Sequence, residues 1–202
     1  MKKVFLSAVF VSGLALFSQA QLKLGIAAGA NVSNQHSHTG NSTKLVSPDA
    51  FRGYHAGLIA DVKVIGHLYL QPQLLYTQTG AKYKGTETSG TFTARNLEMP
   101  LNVLFKAKLP FGKLVAGGGP AISYGLSGKM EEEGQTKKLY SGDMKQWRRA
   151  SFSANALMGI EFNNGIFANV SYQAGLNDIN SSSANIKTRS ASVSVGYLIN
   201  WN

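Results

Sequence analysis

The end of the chain, Ser190 to Trp201, reads Ser-Ala-Ser-Val-Ser-Val-Gly-Tyr-Leu-Ile-Asn-Trp, and its two faces separate at a period of two. Ala191, Val193, Val195, Tyr197, Ile199 and Trp201 lie on one face. Ser190, Ser192, Ser194, Gly196 and Asn200 lie on the other, interrupted only by Leu198. Successive side chains of an extended backbone point to opposite sides, so this is a strand pattern and not a helical one. The apolar face turns aromatic towards the chain end, as where a lipid-facing strand meets the headgroups. A soluble sandwich strand can alternate too. Many such strands in one chain are hard to reconcile with water.

The pattern recurs along the sequence. Leu22, Leu24, Ile26, Ala28, Ala30 and Val32 oppose Lys23, Gly25, Ala27, Gly29 and Asn31. Phe51 to Val64 places Tyr54, Ala56, Leu58, Ala60 and Val62 outward, with His55, Gly57, Ile59 and Asp61 inward. A third strand follows a tight turn at Ile65-Gly66 and sets Leu68, Leu70, Leu74 and Tyr76 against Tyr69, Gln71, Gln73 and Thr77. Pro72 cannot donate to a ladder, so a bulge or a gap in pairing is expected there. Arg95 to Lys108 turns Leu97, Met99, Leu101, Val103 and Phe105 out, with Glu98, Asn102, Lys106 and Lys108 in. Three more strands are read from Leu114, Phe152 and Ile166, the last two joined by the hairpin signal Asn163-Asn164-Gly165. With the final strand the count is eight. Polar stretches read as loops at Asn34–Ala50, Gly80–Ala94, Gly128–Trp147 and Asn177–Lys187. Long and short connections therefore alternate, as in outer-membrane barrels with short periplasmic turns and longer external loops.

The first residues give a route to that location. Lys2 and Lys3, the apolar run Val4 to Phe17 and the small residues Ser18 and Ala20 make a secretory signal peptide over residues 1–20, leaving a barrel domain over 21–202. No later stretch approaches the roughly 20 apolar residues of a spanning helix. Cysteine is absent, so neither disulfides nor thiolate chemistry are available. The formal charge of +10 falls to +8 once Lys2 and Lys3 leave. Export and the scatter of that charge argue against nucleic acid and for anionic lipid or lipopolysaccharide. The expected fold is all-β: an eight-stranded, antiparallel, up-and-down transmembrane barrel whose narrow lumen is filled by side chains, which disfavours a general porin.

Several segments then resemble the PorT-like outer-membrane β-barrel family of Bacteroidota, among the small OmpA-like barrels. They are Leu24-Gly25-Ile26-Ala27-Ala28-Gly29 with Asn31-Val32-Ser33, Gly53-Tyr54-His55-Ala56-Gly57, and Leu70-Gln71-Pro72-Gln73-Leu74-Leu75-Tyr76. To these are added Leu97-Glu98-Met99-Pro100-Leu101, Gly118-Gly119-Pro120, Gly175-Leu176-Asn177-Asp178-Ile179 and Val195-Gly196-Tyr197. The family's usual aromatic before the Leu-Glu-x-Pro segment is Asn96 here. The resemblance implies an integral outer-membrane barrel, inserted by the barrel-assembly machinery. Its namesake's tie to protein secretion implies an accessory role beside an envelope protein partner.

Candidate chemistry is sparse. Lys23, Asp61, Gln71, Gln73, Glu98, Lys106, Lys113 and Glu161 face the lumen, where opposite charges must pair because an isolated buried charge is costly. They are expected to form a charge and amide plug; a gated ion path is the alternative. Trp147, Arg148 and Arg149 are expected to meet lipopolysaccharide phosphates, and Tyr76, Tyr197 and Trp201 the membrane interface. His36-x-His38 could hold a metal only with a third ligand from another loop; it is read as part of a solvated polar loop, and neither metal nor cofactor is expected. A non-enzymatic structural or interaction barrel is the primary reading. The alternatives are a lipid A hydrolase drawing on His55, Glu98 and Ser153, and a small-ligand-binding barrel.

Overall fold

A computed structural model of the chain describes residues 22–38, 49–84, 89–132, 135–139, 149–176 and 185–200. The expected signal peptide, Trp147, Arg148 and Trp201 lie outside the described residues, as do the side chains of His36 and His38. The strands are β1 (Leu22–His38), β2 (Asp49–Ile65), β3 (Leu68–Lys84), β4 (Ser89–Leu109), β5 (Gly112–Glu132), β6 (Gln135–Leu139), β7 (Ala150–Phe162), β8 (Ile166–Gly175) and β9 (Asn185–Asn200). Each pairs antiparallel with its neighbour, β4 with β5 and β1 with β9, so that eight strands close a barrel. The short β6 pairs only with the far end of β5, on the edge that β7 occupies lower down.

Closure follows from the alternation. Ile26, Leu58, Val103, Phe105, Met158, Val193 and Val195 are each more than half exposed on the outside, a surface intolerable in water and natural in lipid. Tight turns at Gly66, at Pro110-Phe111 and at Asn163–Gly165 join the strands at one end. Gly66 and Gly165 supply the positive φ values of 53° and 89° that two of these turns require.

The expected gap at Pro72 is present. The β2–β3 ladder passes from Ile59↔Gln73 to Val62↔Leu70 with no pair between, and the register is kept across the interruption. Pro100 and Pro120 interrupt the β3–β4 and β4–β5 ladders in the same way. Leu198, the lone apolar residue on the polar face of the last strand, packs with Ala27, Ile59 and Phe167 inside the barrel.

The wall is taller than the alternation suggests. Most of Gly80–Ala94 is not loop: β3 runs to Lys84 and β4 starts at Ser89. β5 likewise continues into the expected loop as far as Glu132, followed by β6. Above the lipid band the pattern inverts. Phe51, Ala81, Phe92 and Ala94 are buried inside, while Arg52 and Arg95 are exposed. At the same height β2 pulls away from β3, with a register shift between Ala50 and His55. Inward side chains of β1 bridge the breach: Asn31 Nδ2 donates to the Gln78 carbonyl (3.0 Å), and Ser33 Oγ bonds both the carbonyl (2.9 Å) and the N–H (3.0 Å) of Gly80. Gly53, paired with Asn31, adds no side chain to the inner face where these cross.

Aromatic residues bracket the band. The Tyr54 and Tyr76 rings meet at a tilt, 6.4 Å apart, towards the long-loop end. His67 with Phe105 (5.6 Å) and Phe111 with Phe162 (6.5 Å) ring the short-turn end. Tyr197 is 45% exposed near that lower ring, opposite Ile166. Leu68 to Tyr76 on β3, at ~3.3 Å per residue and a tilt of about 40°, spans ~20 Å, close to the height of a lipid-facing band.

Candidate functional site in the barrel lumen

Near the short turns five strands bring charged inward residues together. Lys106 of β4 reaches across the lumen to Asp61 Oδ2 of β2 and Glu161 Oε2 of β7, at 2.7 Å each. Its side chain is 1% exposed. Glu161 also receives Lys23 of β1 at 2.8 Å and faces Lys113 of β5 at 3.6 Å. Gln71 of β3 donates to Asp61 Oδ1 (3.2 Å), and Gln73 donates to Gln71 Oε1 (2.8 Å). The Tyr69 ring lies under both Lys106 (4.6 Å) and Lys113 (5.4 Å), stabilising each ammonium through its π face.

Directly above sits an apolar layer. Leu104, Val115 and Leu157, which cluster with the Tyr69 ring, form one half of it, and Ala27, Ile59, Phe167 and Leu198 the other. Inward positions two residues above the ionic ones are therefore apolar on three strands: Ile59 over Asp61, Leu104 over Lys106, Val115 over Lys113. That layer separates the charges from the upper chamber, while Lys23 and Lys113 keep part of their surface exposed; the low polarity beside Lys106 strengthens its attraction to its carboxylates.

Glu98 stands apart. It is buried in an upper chamber of about 40 Å³ lined by His55, Thr77, Asn155, Gln173, Ser192 and Ser194, among others. The bonds here are neutral: Gln173 to Ser153 (2.7 Å), Asn155 to Asn102 (2.9 Å), Ser171 with Ser192 (2.6 Å) and His55 Nε2 with Ser194 Oγ (2.9 Å). Among the described residues Asn31 Oδ1, which faces this chamber, has no hydrogen-bond partner, and the chamber has room for a few water molecules.

His55, Glu98 and Ser153 thus all point into the lumen and are under a tenth exposed. The hydroxyl on His55 is that of Ser194, not Ser153. A lipid substrate in the surrounding leaflet is separated from these groups by the barrel wall. Among the described residues no group of three His, Asp or Glu could hold a metal ion. Arg149 is exposed, and its carbonyl accepts from Gly125 N (2.7 Å) beside Tyr124, at the upper edge of the lipid band. Sequence reasoning missed Tyr54, Phe111 and Phe162 as interface aromatics and Ser194 as the partner of His55. The first three were legible as outward or turn aromatics, whereas Ser194 was one of several inward serines with nothing to mark it.

Comparison with solved structures gives the same architecture. The chain is similar to the outer membrane protein OprG from Pseudomonas aeruginosa, at 9% identity and a TM-score of 0.55, over 92% of this chain and 99% of that one. Neisserial surface protein A aligns at 13% identity and a TM-score of 0.48, over 86% of this chain and 96% of that one. Ail, the attachment invasion locus protein of Yersinia pestis, aligns at 16% identity and a TM-score of 0.46, over 89% and 99%. At these identities the OprG likeness establishes the fold and nothing about activity. No curated protein matches the chain significantly. The family model described as outer membrane protein beta-barrel domain matches residues 17–181, the greater part of the chain. The protein therefore belongs to the outer membrane protein β-barrel domain family.

Proposed function

We propose that this is a non-conducting, non-enzymatic outer-membrane barrel that acts through its ends, as an accessory to a secretion or other envelope assembly. The observation that carries the reading is Lys106. A cation that spans the lumen and is gripped from both sides by Asp61 and Glu161 occupies the path an ion would need. The PorT-like segments support the accessory role, and the expected signal peptide would export the chain to meet its assembly. The exposed Arg149 at the upper edge of the lipid band supports contact of Trp147, Arg148 and Arg149 with lipopolysaccharide.

Two measurements test this. In planar bilayers the protein should show no stable conductance steps; large, long-lived openings would overturn the closed-lumen reading. A tagged copy purified from native outer membranes in mild detergent should bring down a stoichiometric envelope partner. A barrel recovered alone would remove the accessory role.

A further inference from the structure

Below the ionic network, at the short-turn mouth, lies a cavity of about 250 Å³ whose polar lining is Lys63, His67, Tyr69, Lys106, Lys108 and Lys113. Among the described residues no carboxylate lines it. Lys106 is neutralised from above by Asp61 and Glu161. Lys113 has only a 3.6 Å approach to Glu161, a carboxylate already engaged by Lys23 and Lys106. Among the described residues Lys63 and Lys108 have no salt-bridge partner. Lys108 and Lys113 are moreover direct cross-strand neighbours at the β4–β5 hairpin. Like charges in that relation destabilise a sheet. Closing the lumen requires neither Lys63 nor Lys108, so their convergence on one concave space calls for an anion.

The cavity is also held in shape. His67 Nδ1 donates to the Lys106 carbonyl (3.0 Å), and Lys106 N donates to the His67 carbonyl (2.9 Å), which ties the β2–β3 turn to β4. The Tyr69 ring beside Lys106 and Lys113 forms an inner wall. Lysines act on phosphate as point charges, and a phosphoryl group presents several charged oxygens where a carboxylate presents two. We infer that the short-turn mouth is a binding site for a phosphate-class anion, held by Lys63, Lys108 and Lys113. Two sources carry this chemistry at that end of an outer-membrane barrel: a soluble phosphate ester, and the headgroup of an anionic phospholipid in the adjoining leaflet.

The test uses the full barrel folded in a non-ionic detergent and titrated with inorganic phosphate by calorimetry. Saturable binding is expected. Lys63→Met and Lys108→Met should each weaken it by about tenfold, the loss of one charge-assisted contact, and the double variant should abolish it. Heat-modifiable gel migration checks that each variant is folded; Lys63→Gln and Lys108→Gln give the same readout if a methionine variant is not. Heat that never saturates, or equal binding in the double variant, would overturn the site. Repeating the titration in nanodiscs separates the sources. Suppression by phosphatidylglycerol but not by phosphatidylcholine assigns the site to a lipid headgroup. Equal phosphate binding in both, with competition by glycerol phosphate, assigns it to a soluble ester.

Discussion

The lower and upper halves of the lumen solve the same problem differently. Both are lined by buried polar side chains inside a wall of eight strands. In the lower half two carboxylates are matched to lysines at salt-bridge distance and sealed under an apolar layer. In the upper half amides and hydroxyls bond one another around a small chamber, and the carboxylate of Glu98 has no lysine or arginine within salt-bridge reach among the described residues. The contrast is between a network that needs all its members and a lining that tolerates the loss of one. Interlocked buried charges are costly to break singly, because each removal strands a partner. Neutral hydrogen bonds beside a wettable cavity can be replaced by bonds to water.

The largest effect should come from Lys106→Met. It would leave Asp61 Oδ2 and Glu161 Oε2 buried together, no further apart than twice the 2.7 Å that each lies from Lys106 Nζ. A loss of about 3–5 kcal/mol is expected in reversible urea unfolding from phospholipid vesicles. Unchanged stability would mean that the network is wet and the two halves are alike.

Glu161→Gln comes next. The amide keeps the shape but withdraws the charge that Lys23, Lys106 and Lys113 share, leaving Asp61 as their nearest carboxylate. About 2 kcal/mol should be lost by the same measurement, the worth of a charge-assisted bond. Ser194→Ala, in the upper half, removes only the neutral partner of buried His55. About 1 kcal/mol is expected there, and a larger loss would show that the upper chamber is as tightly coupled as the lower.

The two halves were unequally legible in the sequence. Period-two alternation assigned nearly every inward residue, because within the lipid band the wall has one apolar face and one polar face. Asp61, Lys106 and Glu161 fell at one height because their strands run the same way and end at short turns. The wall above the band was not legible. There the solvent is water on the outside, so Phe51 and Phe92 turn in, Arg52 and Arg95 turn out, and a search for apolar-out strands reads a loop. A bulge at the β4–β5 register shift beside Arg95 and Asn96 adds to the confusion, since one extra residue on β5 reverses its faces. Which serine meets His55 depends on strand stagger around the closed barrel, which no local pattern reports.

The smallest effect should belong to Glu98→Gln, and it sharpens the comparison most because it repeats the Glu161 substitution in the other half. Glu98 is buried among amides and hydroxyls with no lysine or arginine at salt-bridge distance among the described residues, so its charge is not holding a cation in place. An amide of the same shape keeps an acceptor, adds a donor and removes the cost of a buried carboxylate. Unfolding free energy should stay within about 1 kcal/mol of the unsubstituted protein, with any change towards greater stability. A loss as large as that of Glu161→Gln would mean that a cation reaches Glu98 from the segments of the chain above it, and the upper chamber would then be a second ionic network.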